Sequence, residues 1–397
     1  MKTPSWLPYL GLWLLTLFLG GLCRAWQAEI VYLDCTNCDG NEYHKIYQFF
    51  ESPTAPYAVK FPFHQRVLVP YLASCLPFAR AEDNFWAISL LFASLAVPLL
   101  WRVWAILQIP GWLRVLALVI LLGHFQGLLR YNAYDVITVD VPLYFVGAGF
   151  LWAILSQKWY WIGLMAPLAQ AQKESFLALI LLGALFFVLT KPDEKAGKPS
   201  GWMWAGLIII LVIEQQSLAY FFPAADGEGK GSLRTLLFFV RETLYHPLDL
   251  VRWVLAIGVG YGLWAVLALR KLGTHFPSSA SGRGLLGLVG LHLAFGLLAG
   301  RDMTRIVFLG FPFVMTGMLM MLKTEKWTLI VWAFALSLPL GRPFEAIPAG
   351  PSHWSAYREW FPEYASEASL WAWAIYLWLG FCILEMLRYL GARQAKN

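Results

Sequence analysis

Residues 84–101, NFWAISLLFASLAVPLLW, contain no charged side chain and carry a Trp near each end. An α-helix needs about 20 predominantly apolar residues to cross the hydrocarbon core, so this run predicts a membrane span. Similar apolar runs recur along the chain at 6–23, 113–129, 141–157, 159–172, 174–190, 202–222, 251–269, 284–299, 306–322, 327–340 and 369–387. Several of these runs are short, which leaves room for broken or re-entrant helices.

The composition excludes a soluble enzyme. Apolar types make up 59% of 397 residues and charged types 14%, and the mean hydropathy is +0.58. Soluble domains average about 45–50% apolar and about 25% charged residues. We expect an all-α, polytopic transmembrane helix bundle of about 10–13 membrane helices, built as a single transmembrane domain over residues 1–397. The net charge of +6 is spread between the apolar runs, so membrane lipids are expected partners and nucleic acid is not.

Lys and Arg collect in alternate connections between the apolar runs, which predicts the orientation of the chain. Both termini are expected in the cytoplasm. The segments expected outside it are 24–83, with short interfacial helices, 130–140, the amphipathic segment 223–250, 300–305 and 341–368. The short loops, and the lack of an N-x-S/T sequon in these outer segments, favour a bacterial inner membrane.

The cation-rich flanks Lys158 and Lys191 force residues 159–190 to cross the membrane twice as a tight hairpin. Its turn contains Lys173 and Glu174. Ionisable residues at membrane depth are costly and are therefore candidates for function, although these two could also pair with each other at the water interface.

Four carboxylates lie in two predicted outer segments that are far apart in the sequence. Asp39 and Glu42 are expected to open a short helix, and Asp135 and Asp140 precede the run at 141–157. Such acids suit a general base or a divalent-cation site, and one such acid can also stabilise the N-terminus of a helix. If a metal is present, Mg²⁺ or Mn²⁺ on Asp39 and Asp135 is the expected arrangement.

Cations on the same predicted face point to phosphate. Arg301, Asp302 and Arg305 form a compact cluster in GRDMTR, and Arg66 precedes VLVPYLA. Guanidinium groups are the usual means of holding a phosphate, whereas a short polar turn would be the structural explanation of the cluster. Cys35 and Cys38 form a CxxC, for which a local disulfide is expected over a redox or metal role.

The order of these motifs resembles the GT-C superfamily of multi-spanning glycosyltransferases. The resemblance rests on five short segments: DGNEY at 39–43, RVLVP at 66–70, RYNAYD at 130–135 with DVPLYF at 140–145, QKESFLALIL at 172–181 and GRDMTR at 300–305. It implies an inverting, mannosyltransferase-like enzyme that takes a sugar from a polyprenyl-phosphate donor.

Within that resemblance, Asp39 would match the first-loop acid, with Glu42 beside it, and Asp135 or Asp140 the second acid. Lys173, with Glu174 beside it, and the segment Arg301 to Arg305 would bind the donor phosphate. Two other classes remain open: a transporter or flippase of lipid-linked or small polar cargo, and a non-catalytic membrane assembly partner.

Overall fold

The chain is described by a computed structural model that covers residues 6–32, 38–52, 54–190, 200–225, 232–274, 279–298, 302–349 and 354–394. Helices make up 77% of the structure, and no strand occurs in the ranges just given. The predicted all-α class is therefore confirmed.

The described residues of the first half of the chain form nine α-helices and a short 3-10 turn at Trp159–Trp161. They are α1 Leu7–Trp26, α2 Asp39–Glu51, α3 Leu68–Ser74, α4 Ala81–Ile106, α5 Gly111–Gly123, α6 Arg130–Tyr134, α7 Val141–Leu155, α8 Ile162–Gln170 and α9 Glu174–Thr190. Residues 162–190 form α8 and α9 with a turn at residues 171–173, as the predicted hairpin requires. Because α8 has only nine residues, the predicted double crossing of the membrane stays a prediction.

The second half follows as α10 Gly201–Phe221, α11 Ser232–Tyr245, α12 Leu248–Tyr261, α13 Leu263–Thr274, α14 Ala280–Leu298, α15 Met303–Leu309, α16 Phe311–Leu322, α17 Trp327–Gly341, α18 Trp354–Arg358 and α19 Glu367–Gln394. The segment expected to be amphipathic, 223–250, contains α11, on which Leu237, Phe238 and Arg241 are exposed.

Within the part of the chain that the structure describes, five helices are long and apolar enough to cross a membrane, as in an integral membrane protein: Leu7–Trp26, Ala81–Ile106, Gly201–Phe221, Ser281–Leu298 and Glu367–Gln394. Counting each of two bent helix pairs as one span gives up to seven. Four further apolar helices, α5, α7, α9 and α17, have only 10–17 residues. Fifteen residues of α-helix rise about 22 Å, less than the ~30 Å of hydrocarbon, so the expected count of 10–13 spans stays a prediction.

Two glycines explain why long apolar runs break. Gly262, between α12 and α13, has φ +61°, and the two helices meet at 106°. The Ser337 Oγ accepts a hydrogen bond from the Leu263 backbone N–H at 2.8 Å, in the space that a side chain at residue 262 would need. Gly310, between α15 and α16, lies against the His292 ring, and the two helices meet at 66°. Only glycine accepts such close approach or a positive φ without strain.

The main core lies between α4, α7, α9, α13 and α16 and is filled by large side chains. Trp104, Phe150, Phe308 and Phe313 are fully buried in it. The Trp104 indole N–H donates a hydrogen bond to Thr316 Oγ1 at 2.9 Å, so its polar edge is satisfied inside the apolar core.

Charged residues mark the two ends of this bundle. At one end, Arg24 in the last turn of α1 pairs with Asp83 at the start of α4, at 3.0 Å. We call this the site end. At the opposite end, Arg270 pairs with Glu385, and Lys271 lies 3.4 Å from Glu325.

Candidate functional site

Arg305, in the first turns of α15, lies at the centre of a charged cluster at the site end. Its Nη2 atom is 2.9 Å from Asp39 Oδ2, its Nε atom is 3.0 Å from Asp140 Oδ2, and its Nη1 atom is 3.4 Å from Asp302 Oδ2. Asp39 begins α2 and Asp140 precedes α7, so one guanidinium joins three separate parts of the chain.

Asp140 is the most deeply buried of these acids, with 6% of its side chain exposed. Its Oδ1 atom is 3.3 Å from Lys173 Nζ, in the turn between α8 and α9. Burial opposes ionisation, but the charges of Lys173, Arg305 and Arg66 outweigh it and hold the pKa of Asp140 below its ordinary value. Asp140 is therefore a carboxylate anion that fixes two cations.

The contact between Arg305 Nε and Asp140 Oδ2 is an ion pair and not a hydrogen bond. The two atoms are close enough, but the N–H is not aligned with the acceptor, and both atoms are buried without a hydrogen-bond partner. Buried polar atoms normally have one. The site thus retains a hydrogen-bond donor and an acceptor that its own side chains do not satisfy.

Arg66 brings a third cation to the cluster. Its Nη2 atom is 3.6 Å from Glu174 Oε1, and its Nη1 donates a hydrogen bond to the Tyr43 hydroxyl at 3.1 Å. Its guanidinium lies 5.3 Å from the Phe63 ring centroid, and only 8% of the side chain is exposed. Lys173 and Glu174 do not pair with each other: each has a partner from another segment.

Asp135 belongs to a neighbouring network of tyrosines. Its Oδ1 atom accepts a hydrogen bond from the Tyr32 hydroxyl at 2.7 Å, and its Oδ2 atom accepts one from the Tyr131 hydroxyl at 3.2 Å. Burial raises the pKa of Asp135 to about 6, although Tyr32 and Arg305 favour its charged form. The Arg305 Nη1 lies 3.4 Å from the Tyr131 oxygen, so this network touches the cluster through Arg305.

Glu42 shares α2 with Asp39 but has other partners. Its Oε1 atom is 2.6 Å from Lys45 Nζ, and its Oε2 atom accepts the Lys60 backbone N–H at 3.0 Å. These contacts anchor the loop after α2. Arg301 lies outside the described residues.

The carboxylates of the described chain do not fit a divalent-cation site. No group of three or more His, Cys, Asp and Glu side chains in these ranges is placed to hold a metal ion. Asp39 pairs with Arg305, and both oxygens of Asp135 accept hydrogen bonds from tyrosines. A hard cation such as Mg²⁺ needs several free oxygen ligands at one point. Cys38 is disulfide-bonded, whereas Cys35 lies outside the described residues.

Sequence reasoning missed two residues next to α15. The Thr304 backbone N–H donates a hydrogen bond to Glu363 Oε1 at 3.0 Å, and the Tyr364 hydroxyl donates one to Asp302 Oδ1. Burial raises the pKa of Glu363 to about 7. The only sequence signal for them was their position in 341–368, a segment expected on the same face.

Apolar cavities lie between the described helices, and two of them are large. A cavity of about 650 Å³ lies between α12, α13, α14, α16 and α19, and Trp253 and Leu293 are among its lining residues. Trp253 and Val307 both lie close to Gly296, and Val307 is two residues from Arg305. A second cavity, of about 530 Å³, lies between α1, α4 and α5. Both suit hydrocarbon chains.

No protein-family model, curated protein or solved structure matches this sequence. The functional interpretation of the site therefore depends on its own geometry and chemistry.

Proposed function

We propose that the protein is a membrane glycosyltransferase that transfers a sugar from a polyprenyl-phosphate donor to a hydroxyl-bearing acceptor on the extracytoplasmic face. One observation carries the proposal. Three buried cations, Arg66, Lys173 and Arg305, converge from three segments at one end of a membrane-type bundle, with the Asp39 carboxylate among them. A lipid-linked sugar phosphate presents its charge and its reacting carbon at such an interface.

Arg305, Lys173 and Arg66 bind the donor phosphate. Guanidinium groups suit phosphate because their N–H groups match its oxygens, and burial strengthens the attraction. Arg305 has a buried N–H without a hydrogen-bond partner, and so does Arg66 at its Nε atom. The apolar cavity that Trp253 and Leu293 help to line gives the polyprenyl chain a place beside the bundle.

Asp39 acts as the general base. Of the two acids that bind Arg305 from other segments, Asp39 is the more accessible, with 27% of its side chain exposed against 6% for Asp140. The acceptor O–H proton passes to Asp39, and the acceptor oxygen bonds to the anomeric carbon. The bond from that carbon to the phosphate oxygen breaks, and its electron pair leaves on the phosphate. Direct displacement inverts the anomeric configuration, so one base is enough.

The distribution of cations supports the proposed orientation. Arg102, Arg270, Lys271 and Lys323 lie at the end opposite the site. Short cytoplasmic connections are enriched in Lys and Arg. With that end in the cytoplasm, α1 begins there and α19 ends there, which gives cytoplasmic termini and an extracytoplasmic site. A bacterial inner membrane is part of the same proposal.

The test is the transfer of radiolabelled sugar from a panel of polyprenyl-phosphate monosaccharides to membrane acceptors. Wild type is compared with Asp39→Asn, which keeps the shape of the side chain and removes the base. Glu29→Gln is the matched control, because Glu29 lies at the same end and pairs with Arg24 and Arg80 away from the cluster. We expect Asp39→Asn to lose at least about 10²-fold of the rate and Glu29→Gln to keep it. Full activity of Asp39→Asn would refute the assigned base.

One observation favours transport as a second candidate function. Glu214 lies within α10, a candidate span, and its Oε2 atom is buried without a hydrogen-bond partner in the described chain. Ionisable groups inside spans often mark cargo or proton pathways. Proteoliposomes distinguish the two functions: transport of a lipid-linked sugar across the bilayer, abolished by Glu214→Gln and without sugar transfer to any acceptor, would favour the transporter.

A further inference from the structure

The cations of the cluster are already neutralised by the protein. Arg66 pairs with Glu174, Lys173 pairs with Asp140, and Arg305 pairs with three acids, Asp39, Asp140 and Asp302. Among the residues that the structure describes, three cations of the cluster thus face four carboxylates. A phosphate that entered this arrangement unchanged would meet a site with no net positive charge, and like charges at short range repel strongly when they are buried. Phosphate binding therefore requires one carboxylate to move away.

Among the three acids that bind Arg305, Asp39 is the carboxylate that is free to move, whereas Glu174 pairs with Arg66. Asp140 is almost fully buried and is held by two cations. Asp302 lies at the start of the helix that carries Arg305, and the Tyr364 hydroxyl donates a hydrogen bond to it. Asp39 is partly exposed, and within the described ranges Arg305 is its one ion-pair or hydrogen-bond partner. Its position at the first residue of α2 lets the side chain rotate outward without disturbing that helix.

We propose that the donor phosphate and Asp39 exchange places on Arg305. In the free protein Asp39 occupies the Nη2 edge of the guanidinium; the phosphate takes that edge when the donor binds, and the released carboxylate turns to the acceptor. This inference rests on the proposed function. It makes Asp39 a competitor of the donor as well as the base.

The exchange has a consequence for the order of binding. While Asp39 Oδ2 is paired with Arg305 Nη2, the guanidinium occupies the oxygen that would receive the proton of an acceptor hydroxyl. Asp39 becomes available to an acceptor proton only after the donor has displaced it. The enzyme therefore binds the donor first and does not activate the acceptor in its absence.

The test is a double-mutant cycle on phosphate binding. The probe is geranyl monophosphate, titrated calorimetrically into the detergent-purified full chain. Four proteins are compared: wild type, Asp39→Asn, Arg305→Met and the double variant, with Glu29→Gln as the matched charge control. The cycle isolates the coupling between the two residues from their separate effects.

We expect Asp39→Asn to bind the probe about fivefold or more tightly than wild type, because the competing anion is gone. The same substitution in the Arg305→Met background should change binding by less than about twofold, within the additivity error expected of uncoupled sites. Glu29→Gln should bind as wild type does. Asp39→Ala repeats the measurement with no polar group at the position, in case the Asn variant is not monodisperse.

The outcomes separate the two proposals. If wild type binds the probe through Arg305 but Asp39→Asn and Asp39→Ala bind no more tightly, the exchange is wrong and the phosphate site stands. The exchange is also wrong if Asp39→Asn tightens probe binding equally with Arg305 and with Met at that position, or if Glu29→Gln tightens it as much. Either result would attribute the effect to the overall charge of the protein. If neither wild type nor any variant binds the probe, the phosphate site itself fails and the exchange fails with it.

Discussion

Glu363, four residues before α19, accepts two hydrogen bonds from Thr304 at the start of α15, one from the backbone N–H at 3.0 Å and one from the side-chain hydroxyl. Thr304 is fully buried and immediately precedes Arg305. The direction in which Arg305 points therefore depends on an acid from a distant loop. This relationship makes Glu363 a positioning residue for the site.

Replacement of Glu363 by Leu should destabilise the protein by about 2–4 kcal/mol, because two buried donors of Thr304 lose their acceptor. Sugar transfer should fall as Arg305 loses its fixed position. Thermal unfolding in detergent and the radiolabel assay measure the two effects. Glu363→Gln is the control: its carbonyl oxygen and amide can both still bond to Thr304, so it should retain most of the stability. A Leu variant as stable as wild type would contradict this account.

Asp135 should make stability depend on pH. Its pKa is raised to about 6 in the folded chain from an ordinary value of 3.8, chiefly by burial. A carboxyl whose folded-state pKa is raised contributes stability that is present below the unfolded-state pKa and is lost as pH rises through the folded-state value. Between pH 4 and pH 7, the free energy of unfolding of wild type should therefore fall by up to about 3 kcal/mol relative to that of Asp135→Asn, since each unit of pKa is worth ~1.4 kcal/mol.

The measurement is denaturant or thermal unfolding of both proteins at several pH values in one detergent. The difference between them isolates Asp135 from the other acids. If the difference in unfolding free energy between wild type and Asp135→Asn stays constant across this pH range, burial does not raise the pKa of Asp135.

Gly262→Ala should be strongly destabilising. The positive φ alone costs an L-residue about 1–2 kcal/mol, and the new methyl group would overlap Ser337 Oγ. Gly163→Ala, within α8, meets no atom within 4 Å and should be neutral or stabilising by up to about 1 kcal/mol. The two melting temperatures give the comparison. Equal stability of the two variants would mean that the bend between α12 and α13 does not depend on glycine.

The hairpin at residues 171–173 shows how far local patterns carry a prediction. Cations on both flanks and a polar step between two apolar runs were enough to place the turn, and α8 and α9 meet there. Asp39, Asp140, Lys173, Arg66 and Arg305 were each chosen as unusual charges in an apolar chain, and they do come together. Their chemical roles stay predictions, as does the resemblance to GT-C glycosyltransferases.

Membrane character, helical class and the choice of candidate charges follow from composition and from the length of apolar runs, which are properties of neighbouring residues. Pairings of the charges are different. Asp39 and Arg305 are 266 residues apart, and no local pattern tells which acid a guanidinium will meet. The breaks at Gly262 and Gly310 likewise depend on Ser337 and His292, which approach from other helices. Packing brought these partners together, and burial of charge then required that each cation find an acid.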